Sequence, residues 1–239
     1  MDVLGIIPAR GGSKGIPDKN LRLLAGKPLL SYAVDSAKAS GVIDKLVLST
    51  DSERIADLGH RLGLEVPFIR PASLSTDEAP MLPVILHAVD VLSQNGWFPE
   101  IIVLLQPTSP LRSPEHIRKA VDLLKVGKCD SVISVIEIPH LFAPQKALFV
   151  QDGYLRFWSS MGKSVTRRQQ LETTYAREGT VYACLRDVLI QKSSLYGDEC
   201  LPLLLSSDES LNIDSMADWQ KAEEILNAKE RQRIQSETN

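Results

Sequence analysis

The sequence predicts an α/β fold built on an open, mostly parallel, doubly wound sheet with helices on both faces. Three observations lead there. Apolar runs of strand length recur at Val3–Ile7, Lys45–Ser49, Ile101–Leu105 and Ser131–Val135. Runs that are apolar on both faces suit strands covered on both sides, the habit of parallel sheets. Segments with helical spacing separate them: Leu29, Leu30, Ala33, Val34 and Ala37, then Glu53–Leu62, Met81–Leu92 and Pro114–Leu124. Strand–helix alternation with right-handed crossovers winds such a chain into a sheet with helices above and below. Finally, polar or glycine-rich segments follow the strands at Ala9–Asn20, Thr50–Ser52 and Gln106–Arg112. Ligands of open α/β sheets sit beyond the carboxyl ends of the strands, so these segments should share one rim.

The 239 residues suit one domain, 1–239. From about Pro139 to Leu205 the pattern breaks at Gly153, Gly162, Gly179 and Gly197. Short alternating pieces there, Ala147–Val150 and Thr180–Ala183, read as antiparallel strands. The region 139–205 is therefore expected to be an inserted arm. Beyond it, Met216–Lys229 reads as a helix that returns Trp219, Ala222, Ile225 and Leu226 to the core.

Composition narrows the function. A net charge of −3 advertises neither nucleic acid nor an anionic membrane as a partner. No run approaches the roughly 18 apolar residues of a membrane span, and the start of the chain lacks the pattern of a secretion signal. Cys129, Cys184 and Cys200 are scattered and odd in number, which argues for reduced thiols in a cytoplasmic setting. His60, His87, His116 and His140 fall in no common motif, and no Ser–His–Asp order suggests a hydrolase.

The strongest local signal is Pro8-Ala9-Arg10-Gly11-Gly12-Ser13-Lys14-Gly15, followed by Lys19-Asn20, directly after the first strand. Glycines let the backbone turn tightly and present N–H groups to an anion. Arg10, Lys14 and Lys19 supply charge and Ser13 a further donor. Neither G-x-x-x-x-G-K-[ST] nor G-x-G-x-x-G is present, so this is a different phosphate loop from either.

The loop IIPARGGSKGIPDKN, the segment RPASLSTDEAP, the run LLQPTSPLR, then TRRQQL and NIDSMADWQKAEEIL follow one another in order. Together they resemble the acylneuraminate cytidylyltransferases, or CMP-sialic acid synthetases, over nearly the whole chain. The resemblance implies a Rossmann-like nucleotidyltransferase fold, a homodimer formed partly by the inserted arm, Mg²⁺ as cofactor, and CTP and an acidic sugar as substrates. Carried over by position, Arg10, Gly11, Gly12, Ser13, Lys14 and Lys19 would hold the triphosphate. Arg70 with Ser75 and Asp77 would form the cytosine pocket. Gln106, Thr108 and Ser109 would face the sugar. Lys146 and Arg168 would bind its carboxylate, with Gln169 and Tyr182 beside them. Asp214 would be the metal ligand and Asn212 a neutral oxygen next to it, so that Arg10, Lys19 and Asp214 form the catalytic set.

Two departures bear on substrate. Many relatives carry aspartate where this chain has Asn212. Sialic-acid enzymes tend to read R-x-N-G-A-I-Y where this chain reads Ala176-Arg177-Glu178-Gly179-Thr180-Val181-Tyr182. Glu178 is then expected either to select a sugar other than N-acetylneuraminic acid or to pair with Arg177 or Arg168 and shape the loop. Two other readings are a nucleotidyltransferase acting on a sugar 1-phosphate and a non-catalytic nucleotide-sugar binding protein. Pyrophosphate release separates them.

Overall fold

The computed structural model describes residues 1–164, 169 and 171–237. Six strands form the central sheet: β1 (Val3–Pro8), β4 (Lys45–Ser49), β5 (Ile101–Leu104), β6 (Ser131–Glu137), β9 (Tyr175–Leu185) and β10 (Cys200–Leu205). Their order is β10-β6-β9-β5-β1-β4. β1 pairs in parallel with β4 and β5, and β6 in parallel with β10. β9 runs antiparallel between β5 and β6. The mostly parallel α/β sheet expected from the sequence is present, with one reversed strand in its middle.

The period of two in β1 sorts its side chains. Val3 and Ile7 join the cluster under α1 (Leu29–Ser40) and α4 (Pro114–Lys125), while Leu4 and Ile6 join the cluster under α3 (Met81–Gln94) and α5 (Arg186–Lys192). Gly5 leaves room for a neighbour, since a Cβ there would lie 2.7 Å from Leu46 Cδ1. α2 (Glu53–Arg61) packs Ile55 and Leu58 into the first cluster. A small hairpin of β2 (Leu23–Leu24) and β3 (Lys27–Pro28) precedes α1. The last helix, α6 (Met216–Glu237), buries Trp219 and Ala222 against Ile16, Leu24, Leu29 and Ile213, as the sequence expected.

The arm is smaller than the expected 139–205. Its stem closes where Ile138 N–H donates to Thr174 O at 2.9 Å. Beyond that bond, β9 and β10 belong to the sheet. What remains carries the hairpin of β7 (Leu148–Gln151) and β8 (Tyr154–Phe157), turned by Asp152 and Gly153, both at positive φ. The expected antiparallel piece Thr180–Ala183 lies within β9, but the sequence pattern caught only that part of the strand because β9 carries a bulge. Ile133 pairs with Tyr182, but Val135 pairs with Arg177, so residues 178–181 of β9 stand opposite Ser134 alone. A bulge breaks the alternation by which a strand is read.

Candidate functional site

The carboxyl ends of β1, β4 and β5 open into one cleft, lined by Arg10, Ser13, Lys19, Asn20, Arg70, Met81, Gln106 and Thr108 among others. The glycine loop is anchored at both ends. Ala9 N–H donates to Ser49 O at 2.9 Å, and Gly11 N–H to Asp51 Oδ1 at 2.8 Å. Asn20 Nδ2 reaches back to Arg10 O at 3.1 Å. Nothing lies within 4 Å of where a Gly12 Cβ would be. The loop thus presents its backbone and cations to the cleft.

The chain segment before α6 closes the site. Lys19 Nζ donates to Ile213 O at 2.8 Å, and Ile213 N–H donates to Thr108 O at 2.9 Å. Ser109 Oγ lies 3.4 Å from Asn212 Oδ1. A Cβ on Gly15 would stand 2.9 Å from Asp214 O, so only glycine lets the two segments meet. Burial pulls the Lys19 ammonium below its ordinary pKa, and the Asp214 carboxylate works against that pull. Ser215 caps α6 instead of Asp214. Its hydroxyl accepts from Asp218 N–H at 3.3 Å, and Asp218 Oδ2 accepts from Ser215 N–H at 2.8 Å. The exposed Asp214 carboxylate is left free of capping.

Asp77, expected with Arg70 and Ser75 at the cytosine, reaches the glycine loop in the free chain. Its carboxylate pairs with Arg10 and, at 2.6 Å, with Lys14. The Lys14 hydrogen bond, with Arg10 adding to it, holds Asp77 below the usual carboxylate range. Ser75 Oγ donates to Pro71 O at 3.0 Å, which ties off its own turn. Arg70 does line the cleft, buried and fixed by Ser49 Oγ at 3.1 Å and by Ser49 O. Burial lowers its pKa.

Of the expected sugar-facing residues, Gln106 and Thr108 line the cleft and Ser109 lies buried beside Asn212. Tyr182 is half-buried and packs in the core under α3; burial raises its pKa. Lys146 and Gln169 are exposed on the arm, outside the cleft lining of their own chain. Arg168 lies outside the described residues. Glu178 is 6% exposed and points inward: its Oε2 accepts from Thr180 N–H at 2.7 Å. The expected pairing with Arg177 is absent, because Arg177 hydrogen-bonds Tyr196. Instead Glu178 acts on Arg112, a residue assigned no role above. Buried among carbonyls, Arg112 found its partners only through folding, so no local pattern could have announced them. Asn20 and Met81 were also missed as cleft residues, although Asn20 closes the glycine-loop motif.

Rossmann-like architecture with a cationic cleft at this rim suits an anionic ligand held beyond the carboxyl ends of the strands. The Cytidylyltransferase family profile matches residues 4–190. The chain belongs to that family. It is 37% identical to the CMP-N,N'-diacetyllegionaminic acid synthase of Legionella pneumophila, covering 95% of this chain and 97% of that one. It is 30% identical to the N-acylneuraminate cytidylyltransferase of Escherichia coli over 97% of this chain, and spans only 54% of that longer protein. Among solved structures, a CMP:2-keto-3-deoxy-manno-octonic acid synthetase complexed with CTP superposes with a TM-score of 0.70 at 17% identity, covering 96% of this chain and 100% of that one. A 4-diphosphocytidyl-2C-methyl-D-erythritol synthase from Anaerococcus prevotii gives 0.66 at 16%, covering 95% and 98%. At those identities the likeness is one of fold.

Proposed function

We propose that the protein transfers CMP from CTP to the anomeric hydroxyl of an acidic nonulosonic sugar and releases pyrophosphate. The observation that carries this reading is the stitching of the glycine loop, Gln106–Ser109 and Asn212–Asp214 into one rim by Lys19 and Ile213. Arg10, Lys14, Lys19 and the loop N–H groups would hold the triphosphate. Arg70, already fixed by Ser49, would offer its remaining N–H groups to the cytosine carbonyl. Gln106 and Thr108 would orient the sugar. The sugar oxygen bonds to the α-phosphorus as the bond to the β-phosphate oxygen breaks, and the hydroxyl proton passes to solvent. Orientation and charge neutralisation supply the rate, as in other phosphoryl transfers.

Among the described residues no group of three or more His, Cys, Asp and Glu gathers as a metal cage. Asp214 and Asn212 offer one carboxylate and one amide oxygen, a donor set that suits Mg²⁺, which keeps water and takes phosphate oxygens as its other ligands. When bound, Mg²⁺ would neutralise triphosphate charge.

We also propose a homodimer. Every residue of β7 and β8 is exposed in the single chain, including Leu148, Val150, Tyr154, Leu155 and Phe157, and Trp158 beyond them is 71% exposed. A second copy would cover this surface and carry Lys146 towards a neighbouring cleft, where its charge suits a carboxylate. Sedimentation at micromolar concentration should give a dimer; an active monomer overturns the assignment. Among the described residues no helix is long and apolar enough to cross a membrane. A cytoplasmic setting, where CTP is made, suits the free cysteines.

The functional test sets each nucleoside triphosphate against free nonulosonic acids and sugar 1-phosphates, with Mg²⁺, and measures pyrophosphate. Release should require CTP and the free acid. Release with sugar 1-phosphates alone would overturn the reading, and no release at all would favour a binding protein.

A further inference from the structure

The bulge of β9 packs behind Gln106, one of the residues that line the cleft. Ser134 Oγ fills its inside, donating to Glu178 O at 2.8 Å and accepting from Val181 N–H at 2.9 Å. On its outside, Gly179 meets the cleft residues. A Cβ there would lie 2.8 Å from Gln106 Oε1 and 3.2 Å from Asn212 Nδ2. Gly179 is not among the glycines at positive φ, so contact, and not backbone strain, is what a side chain would violate.

Two buried charges brace this bulge. Arg112 is 5% exposed; its Nε donates to Thr180 O and its Nη2 to Gln106 O, both at 2.5 Å. One guanidinium therefore ties the bulge to the backbone of Gln106. Burial brings the Arg112 pKa down to about 10, and Glu178 acts against that fall. Glu178 in turn holds Thr180 N–H. Thr180 is thus gripped through its carbonyl by the cation and through its N–H by the anion. Arg112 Nη1, Glu178 Oε1 and Thr180 Oγ1 are buried without a hydrogen-bond partner among the described residues. Such groups are rare in folded proteins and call for an explanation.

We infer that Arg112 and Glu178 form a buried strut that presses Gly179 against Gln106 and Asn212, and so sets where Gln106 meets the sugar. Both are positioning residues: neither lines the cleft. Glu178 then acts on every sugar alike and does not choose among them. The pair persists because removing either charge would leave the other buried and unbalanced.

This rests on the proposed activity, so the test has one arm that does not. Kinetics with CTP and two nonulosonic acids are measured for Gly179→Ala, Gln106→Ala, the double variant and Glu178→Gln. Gly179→Ala should raise KM for the acids by about 10–100-fold, the scale of a misplaced contact, with KM for CTP unchanged. In the Gln106→Ala background it should lose most of that effect, because the group it pushes is gone. Glu178→Gln should weaken both acids equally. The independent arm follows the Gln106 side-chain amide by NMR, assigned with Gln106→Ala, and both Gly179→Ala and Glu178→Gln should shift it. An altered ranking of the acids in Glu178→Gln, full additivity of Gly179→Ala with Gln106→Ala, or an unmoved amide overturns the strut. If Glu178→Gln does not fold, the Gly179 and Gln106 variants still decide. If the wild-type protein converts neither acid, the proposed activity fails, and the amide spectrum alone judges the strut.

Discussion

Lys19→Met removes an ammonium and keeps most of the side chain's bulk. In the structure that ammonium does two things: it bonds Ile213 O at 2.8 Å and it faces the cleft. A hydrogen bond from a charged donor contributes about 1.5–3 kcal/mol. Burial penalises the Lys19 charge, and methionine relieves that penalty, so the expected net loss is about 1–2 kcal/mol. For a domain of this size that lowers Tm by about 2–8 °C. Loss of a charge partner for the reacting phosphates should lower kcat/KM by about 10²–10³-fold. Melting curves and pyrophosphate release, measured on one preparation, report the two roles separately. A lower Tm with kcat/KM nearly intact would leave Lys19 as a structural stitch and refute its place on the triphosphate. Lost activity at an unchanged Tm would instead refute any weight for the Ile213 bond. Lys19→Arg, which keeps the charge, should recover part of the activity.

Three further outcomes are expected. Asp77→Asn should lower KM for CTP, because Arg10 and Lys14 no longer have a carboxylate to leave; a raised KM would return Asp77 to direct nucleotide contact. Asp214→Ala should cost about 10²-fold or more in Mg²⁺-dependent turnover and Asn212→Ala less, since a carboxylate is the better ligand for a hard cation; equal losses in a Mg²⁺ titration would refute the ranking. Ser206 and His116 hold Glu209 at a pKa of about 2, down from 4.5. A depressed carboxylate stabilises the fold above its unfolded pKa and loses that contribution as pH falls through its folded one. At 44% exposure, solvent screening limits this to about 1 kcal/mol. Urea melts should therefore separate Glu209→Gln from the parent at pH 7 and converge between about pH 4.5 and 2; a constant gap would contradict the linkage.

Where a segment obeyed one period, the sequence could be read. β1, β4, β5 and β6 and the helices between them begin and end within a few residues of expectation. β10 was taken for arm because Cys200–Leu205 gains its meaning only by pairing with β6, far earlier in the chain. The position of the glycine loop at the carboxyl end of β1 was legible because cations crowding a strand's end have little packing use. The pairing of Asp77 with Arg10 and Lys14 was not, because it joins two loops that only the sheet brings together. Arg112 and Glu178 were harder still. Their partners are main-chain atoms of the bulge and of Gln106, and side-chain chemistry alone gives no hint of those.

The cations around the cleft sort by what holds them in the free protein. Arg70 and Arg112 are buried and bound to carbonyls of Ser49, Leu74, Thr180 and Gln106, groups fixed in the sheet and its loops. No ligand can take those places without leaving a buried carbonyl unpaired, which costs about 1–3 kcal/mol. Arg10 and Lys14 are held by the Asp77 side chain, on a loop at the surface. An incoming triphosphate offers more negative charge than one carboxylate, and Asp77 loses little by turning to water. Lys19 lies between these cases, with one bond to Ile213 O and N–H groups to spare. Under the proposed activity, nucleotide capture on this geometry would be an exchange of anions at Arg10 and Lys14 over a frame that stays put. Salt should therefore oppose CTP binding through those two residues, and the shape of the base and sugar pockets should persist whether or not the exchange has taken place.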